Sequence, residues 1–331
     1  MRHAPLPSAT ATKKTASSRR AGAAAISGAL VEHERFLWGV CYRMTGSAAD
    51  ADDLVQETFL RAMERPPPRT EEPLRPWLVR VAVNLGRDAL RRRKRRAYVG
   101  PWLPAPIEGD EVAAFEVEGE GGSEGRYDLM ESVSLAFLLA LEVLTPNQRA
   151  VVLLRDVLDL SVREAAEALG RTEANVKVIH HRARQALAPY EAQRDATRPT
   201  PAVARSTEEA LRRFIVALGA GDEAALATLF AKDVASLSDG GQEFLAAKVV
   251  VAGAARVARL FLGLARKTSP VERLAFRVMN GAPAIVAERT ARAGEAPRFV
   301  LACDVDAAGK ITRLYSVLAT DKLTKVRPVA G

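Results

Sequence analysis

The segment LTPNQRAVVLLRDVLDLSVREAAEALGRTEANVKVIHHRARQAL, residues 144–187, reads as three short helices with their starts and stops marked. Thr145, Pro146 and Gln148 supply a cap, a proline at the first helical position and a capping-box partner. Ser161 with Glu164 opens the next helix in the same way, and Ala165, Ala166 and Leu169 point inward. Gly170 makes the turn and Thr172 caps the third helix. There Val176, Ile179, Ala183 and Leu187 fall on one face, while Glu173, Lys177, His180 and Arg184 recur at i, i+4, i+7 and i+11 on the other. This is a helix-turn-helix whose basic second helix is long enough for a major groove. The plainer reading is a helical hairpin with a charged outer face.

Working toward the N-terminus, RPWLVRVAVNLGRDALRRRKRR (75–96) is a second basic helix. Trp77, Leu78, Val81, Leu85, Ala89 and Leu90 make its apolar stripe. Arg80, Asn84, Arg87 and Arg91 recur at i, i+4, i+7 and i+11 on the opposite face. Arginines there supply phosphate contacts, and an asparagine among them can read a base edge. The block 87–96 is either an anion-binding element or a solvated helix end. The loop ERPPPRTEEPLRP before it could frame a pocket for an unstacked base. In DADDLVQETFLRAME (50–64), Val55, Phe59, Ala62 and Met63 form one face and Asp50, Asp53, Gln56 and Glu57 another. That acidic face is either solvated or a docking surface for a basic partner helix.

The chain has 331 residues, 48% hydrophobic and 27% charged, with a net charge of +8, which excludes wholesale disorder and implies two or three domains. No apolar run reaches the length of a membrane helix, and the start lacks a signal-peptide core, so a cytoplasmic protein without a membrane partner is expected. Cys41, Cys303 and four histidines have no ligand spacing, so no metal or other cofactor is expected. Residues 1–25 read as a disordered tail, 26–98 as one helical domain, 99–127 as an acidic, Gly-rich linker, 128–192 as a second helical domain and 193–205 as a further linker. From 206 to 331 a capped helix (STEEALRRFIVALGAGD) precedes strand-like segments AFRVMN, AIVAERT, RFVLACDVD and ITRLYSVL. The expected fold class is two all-α domains followed by one α+β domain.

The segments FLWGVCYRMTGSAADADDLVQETFLRAM (36–63), 75–96 and 144–187, in this order and spacing, closely resemble the bacterial extracytoplasmic-function (ECF) sigma factors of RNA polymerase over roughly residues 26–190. The resemblance implies a sigma-2 bundle and a sigma-4 helix-turn-helix that bind core polymerase, through its β′ clamp and β subunits, and promoter DNA. Asp50, Asp53, Gln56 and Glu57 would dock on the β′ clamp. Trp77, Arg80, Asn84, Arg87 and Arg91 would meet the −10 element, with Asn84 reading a base. Thr172, Glu173, Asn175, Val176, Lys177, His180, His181 and Arg184 would meet the −35 element.

The C-terminal order of helices and strands is similar to a SnoaL-like (NTF2-like) cone, in which helices fold over a curved antiparallel sheet around a pocket. A subgroup of ECF sigma factors carries this domain. Its motifs are matched by GPWLPAPIE (100–108), SDGG (238–241), NGAP (280–283) and YSVLATDKL (315–323). The match departs at Gln242 and Glu243, which stand where the subgroup has Gly and Lys, and at Ala319 and Thr320, where it has Asn-Pro. The subgroup implies that Trp102, Leu103, Pro104 and Ile107 dock on the SDGG and DKL regions, with Asp239, Gly240, Gly241, Asn280, Gly281, Tyr315, Asp321, Lys322 and Leu323 as interdomain regulatory residues, so that the cone regulates the sigma domains in place of a separate inhibitor. A small ligand in the cone could bias that switch. The free chain is expected to be a monomer. Asp239, Glu243, Glu288 and Asp304 show no catalytic pairing, and Asp239 and NGAP are turn signals first. No enzymatic activity is expected. The alternative function is a helix-turn-helix regulator with a ligand-sensing cone.

Overall fold

The computed structural model describes residues 28, 31–64, 74–95, 98, 100–109 and 126–330. The N-terminal tail, Pro66–Pro68, Pro73 and most of the acidic linker lie outside the described residues.

Helix α1 (31–45) stops at Gly46, whose φ of 69° favours glycine, and Ser47 Oγ then accepts from Asp50 N to start α2 (Ala48–Glu64). α2 buries Ala51, Leu54, Val55, Thr58 and Ala62. Met63, expected on the apolar face, is 51% exposed, because the buried stripe runs along Leu54–Thr58–Ala62 instead. α3 (Leu74–Arg95) buries Leu78, Ala82, Val83, Leu85 and Leu90.

The second helical unit carries every cap the sequence announces. Ser134 caps α4 (Leu135–Ala140). Thr145 and Gln148 form a reciprocal capping box on α5 (Pro146–Val152), which runs on into a π turn at Leu153–Val157. Ser161 and Glu164 do the same for α6 (Val162–Leu169), Gly170 ends it at φ 60°, and Thr172 caps α7 (Glu173–Ala186). These two helical units share one hydrophobic core, from Leu37 and Tyr42 through Val83 to Phe137, Val151 and Val176. Charge seals the seam: Glu142 accepts from Arg93 at 2.7 Å and Arg149 at 2.5 Å, and Arg149 also reaches Met44 O. Burial pushes the Glu142 carboxyl up, but the two guanidinium groups outweigh it and hold it below its ordinary value.

The C-terminal unit begins with α8 (Pro201–Ala220), capped by Thr200, and α9 (Glu223–Leu229), capped by Asp222. α10 (Ala254–Lys267) joins them over a six-stranded sheet. The strands are β1 (Phe230–Asp239), β2 (Val251–Ala252), β3 (Arg273–Met279), β4 (Ala282–Glu288), β5 (Arg298–Val305) and β6 (Ile311–Val317), in the order β2-β1-β6-β5-β4-β3. Asn280 and Gly281, at φ 53° and 78°, make the two-residue β3–β4 hairpin. The expected antiparallel sheet is in fact mixed. β1 lies parallel to β6, a pairing reached through a long connection that includes α10.

Alternate strand positions split the sheet into two buried faces. One takes the helices through Phe214, Phe230, Phe261, Ile285, Leu301 and Leu314. The other carries Ala284, Val286, Val300, Tyr315 and Val317 and receives Leu103, Leu323, Val326 and Val329. The helix side, where a pocket was expected, is packed by aromatic rings, Phe214 and Phe261 meeting edge-on at 5.1 Å. A void of about 20 Å³ beside Thr207 and Cys303 has room for about one water. No helix among the described residues is long and apolar enough to cross a membrane.

Candidate nucleic-acid and polymerase interfaces

On α7, Thr172, Glu173, Asn175, Lys177, His181 and Arg184 are exposed along the outer face and its flanks. Two of the eight expected −35 residues are placed otherwise. Val176 is fully buried under α5, because its position in the helix period belongs to the core stripe, so it cannot meet DNA from this fold. His180 is turned toward Asp156, with its Nε2 2.8 Å from the carboxylate.

On α3, Arg80 and Arg91 are exposed, and Trp77 packs against the core edge. Asn84 and Arg87 are covered. Asn84 Nδ2 donates to Ala168 O of α6 at 3.1 Å and Arg80 O at 2.8 Å, and its Oδ1 accepts from Arg87. Arg87, 7% exposed, also donates through Nε to Asn147 Oδ1 of α5 at 2.9 Å. The basic face expected to lie open is therefore split, its ends facing solvent and its middle held by the helix-turn-helix unit. Burial and the charges of Arg91 and Arg171 lower the Arg87 pKa, with Asp88 opposing them.

On α2, Asp53 and Gln56 are exposed, Asp50 is half-buried and Glu57 pairs with Arg61 at 2.8 Å. Leu60 and Met63, each 51% exposed, continue the same surface. Asp52, half-exposed, accepts from Trp38 Nε1 at 2.6 Å and lies 3.4 Å from Lys325.

Residues 98–108 form a clasp between these helices and the sheet. Trp102 lies between two cations, Arg93 at 3.9 Å and Lys322 at 4.2 Å from the ring. Leu103 N donates to Asp239 Oδ2 at 2.7 Å. Lys322 Nζ donates to that oxygen at 2.5 Å and to Leu103 O at 2.6 Å, and Tyr98 OH donates to Asp239 Oδ1. Burial lowers the Lys322 pKa, with Asp239 opposing it. Lys322 thus meets Asp239 although Gln242 and Glu243 replace the subgroup's Gly and Lys.

Gly240 and Gly241 sit where a Cβ would come within 2.5 Å of Phe244 O and 2.6 Å of Ala319. Asp321, exposed, borders this turn, while Tyr315 OH donates to Asp304 and its ring joins the Leu103 cluster. Further along, Asn280 Oδ1 accepts from Ile107 N at 3.2 Å. Its Nδ2 donates to Tyr42 OH at 2.7 Å and to Val133 O at 2.8 Å. A Cβ added at Gly281 would meet Met130 at 3.3 Å and Pro199 at 3.6 Å. Pro104 is buried over Gly46, whose added Cβ would lie 2.7 Å from the Trp102 ring. Gly46→Ala, at positive φ and against that ring, is expected to cost about 2–4 kcal/mol in urea unfolding and to shift Trp102 emission to the red; unchanged emission and midpoint would count against the clasp.

A family model described as Sigma-70 region 2 matches residues 30–96, and one described as Sigma-70, region 4 matches 134–187. ECF RNA polymerase sigma factor SigJ of Mycobacterium tuberculosis is 33% identical over 238 residues, 71% of this chain and 71% of that protein. The chain belongs to the ECF RNA polymerase sigma factors. A probable member from the same organism, SigI, is 29% identical over 311 residues, 92% of this chain and 97% of its own. The crystal structure of M. tuberculosis SigJ superposes with a TM-score of 0.67 at 27% identity, over 92% of this chain and all of that one, so the likeness extends through the C-terminal unit. As a sigma factor the chain serves transcription initiation through core RNA polymerase and promoter DNA, and is not itself an enzyme.

Several partners in these interfaces had no local signal. Glu108, 4% exposed, accepts from Arg277 at 2.8 Å and from Arg327, 169 and 219 residues away. Burial alone would raise its pKa, but Arg327 and Arg277 bring it below the ordinary value. Tyr98, Tyr42, Asn147 and the Arg93–Glu142–Arg149 group likewise act only across the fold.

Proposed function

We propose that this sigma factor is held closed by its own C-terminal cone and reads promoters only after opening. The observation that carries this is the cover over α3: Asn84 and Arg87, the middle of the face assigned to the −10 element, are bonded to α6 and α5. In the open form Trp77, Arg80, Asn84, Arg87 and Arg91 meet the −10 element. Thr172, Glu173, Asn175, Lys177, His180, His181 and Arg184 meet the −35 element. Asp50, Asp53, Gln56 and Glu57 dock on the polymerase β′ clamp while the helix-turn-helix unit engages β. Acidic side chains there suit a basic partner.

Residues 98–108 with Asp239, Lys322 and Asn280 supply the latch. A tethered latch acts at high effective concentration, so modest contacts suffice and no separate inhibitor is required. The closed chain works as a monomer in the cytoplasm, where core polymerase is found, and a small ligand on the cone tunes the opening.

Asn84→Ala tests the assignment by run-off transcription with core polymerase. A lost base contact is worth about 1–3 kcal/mol, so transcript yield should fall roughly fivefold to a hundredfold while core binding stays intact. Losing the bond to Ala168 eases opening and works in the other direction, so a fall isolates the role in DNA reading. Undiminished transcription would remove Asn84 from that role.

A further inference from the structure

On the sheet face opposite the helices, the C-terminal segment 318–329 and the ends of β3, β4 and β5 enclose a groove of about 830 Å³. Its size falls within the roughly 300–1,000 Å³ range of small-molecule sites. Five cationic side chains line it, Arg273, Arg289 and Arg298 from the sheet and Lys325 and Arg327 from the segment, against the single carboxylate of Glu288. Glu288 is spent on Arg298 at 2.7 Å, Arg273 at 3.4 Å and Val329 N at 3.2 Å. Just outside, Asp52, Glu108 and Glu295 face Lys325, Arg327 and Arg289, and Arg277 also pairs with Glu108, which brings the balance to six cations and four carboxylates. Arg289 is the least compensated. Its side chain donates to carbonyls, Ala296 O at 3.0 Å and Ser269 O at 3.3 Å, and burial lowers its pKa with Glu295 opposing. Exposed Pro297 and Pro328 and half-buried Leu318 also line the groove, over the buried Leu323 and Val326, and a bare inorganic ion would leave that apolar surface wet.

We propose that this groove binds a small amphipathic organic anion, its carboxylate, sulfonate or phosphate head among Arg273, Arg289, Arg298 and Lys325 and its apolar body against Pro297, Leu318 and Pro328. The site differs from the interior of the cone, which Phe214, Phe230 and Phe261 fill. Its position gives the ligand a consequence that rests on the closed-sigma reading. Lys325 faces Asp52 on α2, and Arg327 faces Glu108 at the end of the clasp. An anion whose head draws on Lys325 weakens the cone's hold on α2.

The test uses the full chain and 8-anilinonaphthalene-1-sulfonate, which carries an anionic head on an apolar body. Fluorescence should rise to saturation at one probe per chain, and decanoate should displace the probe where equal inorganic phosphate does not. Arg273→Gln with Lys325→Gln should weaken binding at least about fivefold. Thr324→Glu, at an exposed lip residue, should weaken it too while removing no contact and leaving the unfolding midpoint in place. Non-saturating fluorescence, affinity unchanged in both variants, or displacement by phosphate as effective as by decanoate would each overturn the proposal. Polymerase is absent from the assay, so a failure here leaves the sigma reading standing, and failed transcription leaves the site standing.

Discussion

Asp239→Asn is expected to destabilise the clasped chain by about 3–5 kcal/mol, the cost of stranding one member of a buried ion pair. The reason lies in what surrounds Asp239. Its side chain is fully buried, and it accepts from Lys322 Nζ, Leu103 N, Tyr98 OH and, at 3.1 Å, Gly241 N. Removing the charge leaves the Lys322 ammonium, 6% exposed, with the Leu103 carbonyl as its closest partner, and sets an amide donor where two N–H groups already point. Lys322→Met alone should cost a similar amount by stranding the carboxylate. The double variant should recover a large part of the loss, because replacing a whole buried pair is often close to neutral. Urea unfolding followed by tryptophan emission, with limited proteolysis between residues 98 and 108, measures both effects. A single variant within about 1 kcal/mol of the wild type would show that the pair does not hold the linker.

Asn280→Ala should have a comparable effect for a different reason. One neutral side chain joins three parts of the chain: Tyr42 on α1, Val133 before α4, and Ile107 in the linker. Tyr42 OH keeps its bond to Ala105 O, but Ile107 N and Val133 O each lose a partner at about 1–3 kcal/mol, and alanine at φ 53° adds about 1–2 kcal/mol. A total near 4 kcal/mol is expected. Asn280→Gly separates the two contributions, since glycine accepts the backbone angle and removes only the side chain. If the glycine variant unfolds at the wild-type midpoint, the three hydrogen bonds contribute nothing net. If it falls with the alanine variant, they hold the cone to the helices. Small-angle scattering should then show a larger radius for both.

What could be read from the sequence was what is local. The caps at Thr145, Ser161 and Thr172 and the stop at Gly170 act within four residues, and all are present as read. Strands β3 to β6 showed their alternation. β1 escaped notice because Ser236, Ser238 and Asp239 occupy buried positions that an apolar pattern would have marked. Asp239 and Asn280 are indeed turn residues, with Gly241 N bonded back to Asp239 and Asn280 in a hairpin, but their burial depends on a linker more than 130 residues away. The cover over Arg87 and the ion pairs of Glu108 are invisible for the same reason, since no periodicity records which distant surface will arrive. Val176 shows the converse: helical phase alone assigns it to the core.

The clasp also has a metric meaning. Between Glu108 and Arg126 lie 17 residues, which can reach about 60 Å at ~3.4 Å per residue. If residues 98–108 leave the sheet, the tether runs from Arg95 to Arg126 and reaches about 105 Å. The −10 and −35 elements stand, by their names, 25 base pairs apart, or about 85 Å at ~3.4 Å per base pair. The tether of a clasped chain falls short of that by ~25 Å, whereas that of a released one has slack to spare. On the closed-sigma reading proposed above, Asp239, Lys322 and Asn280 thereby keep the tether too short to bridge the two elements, and freeing them should supply the missing reach.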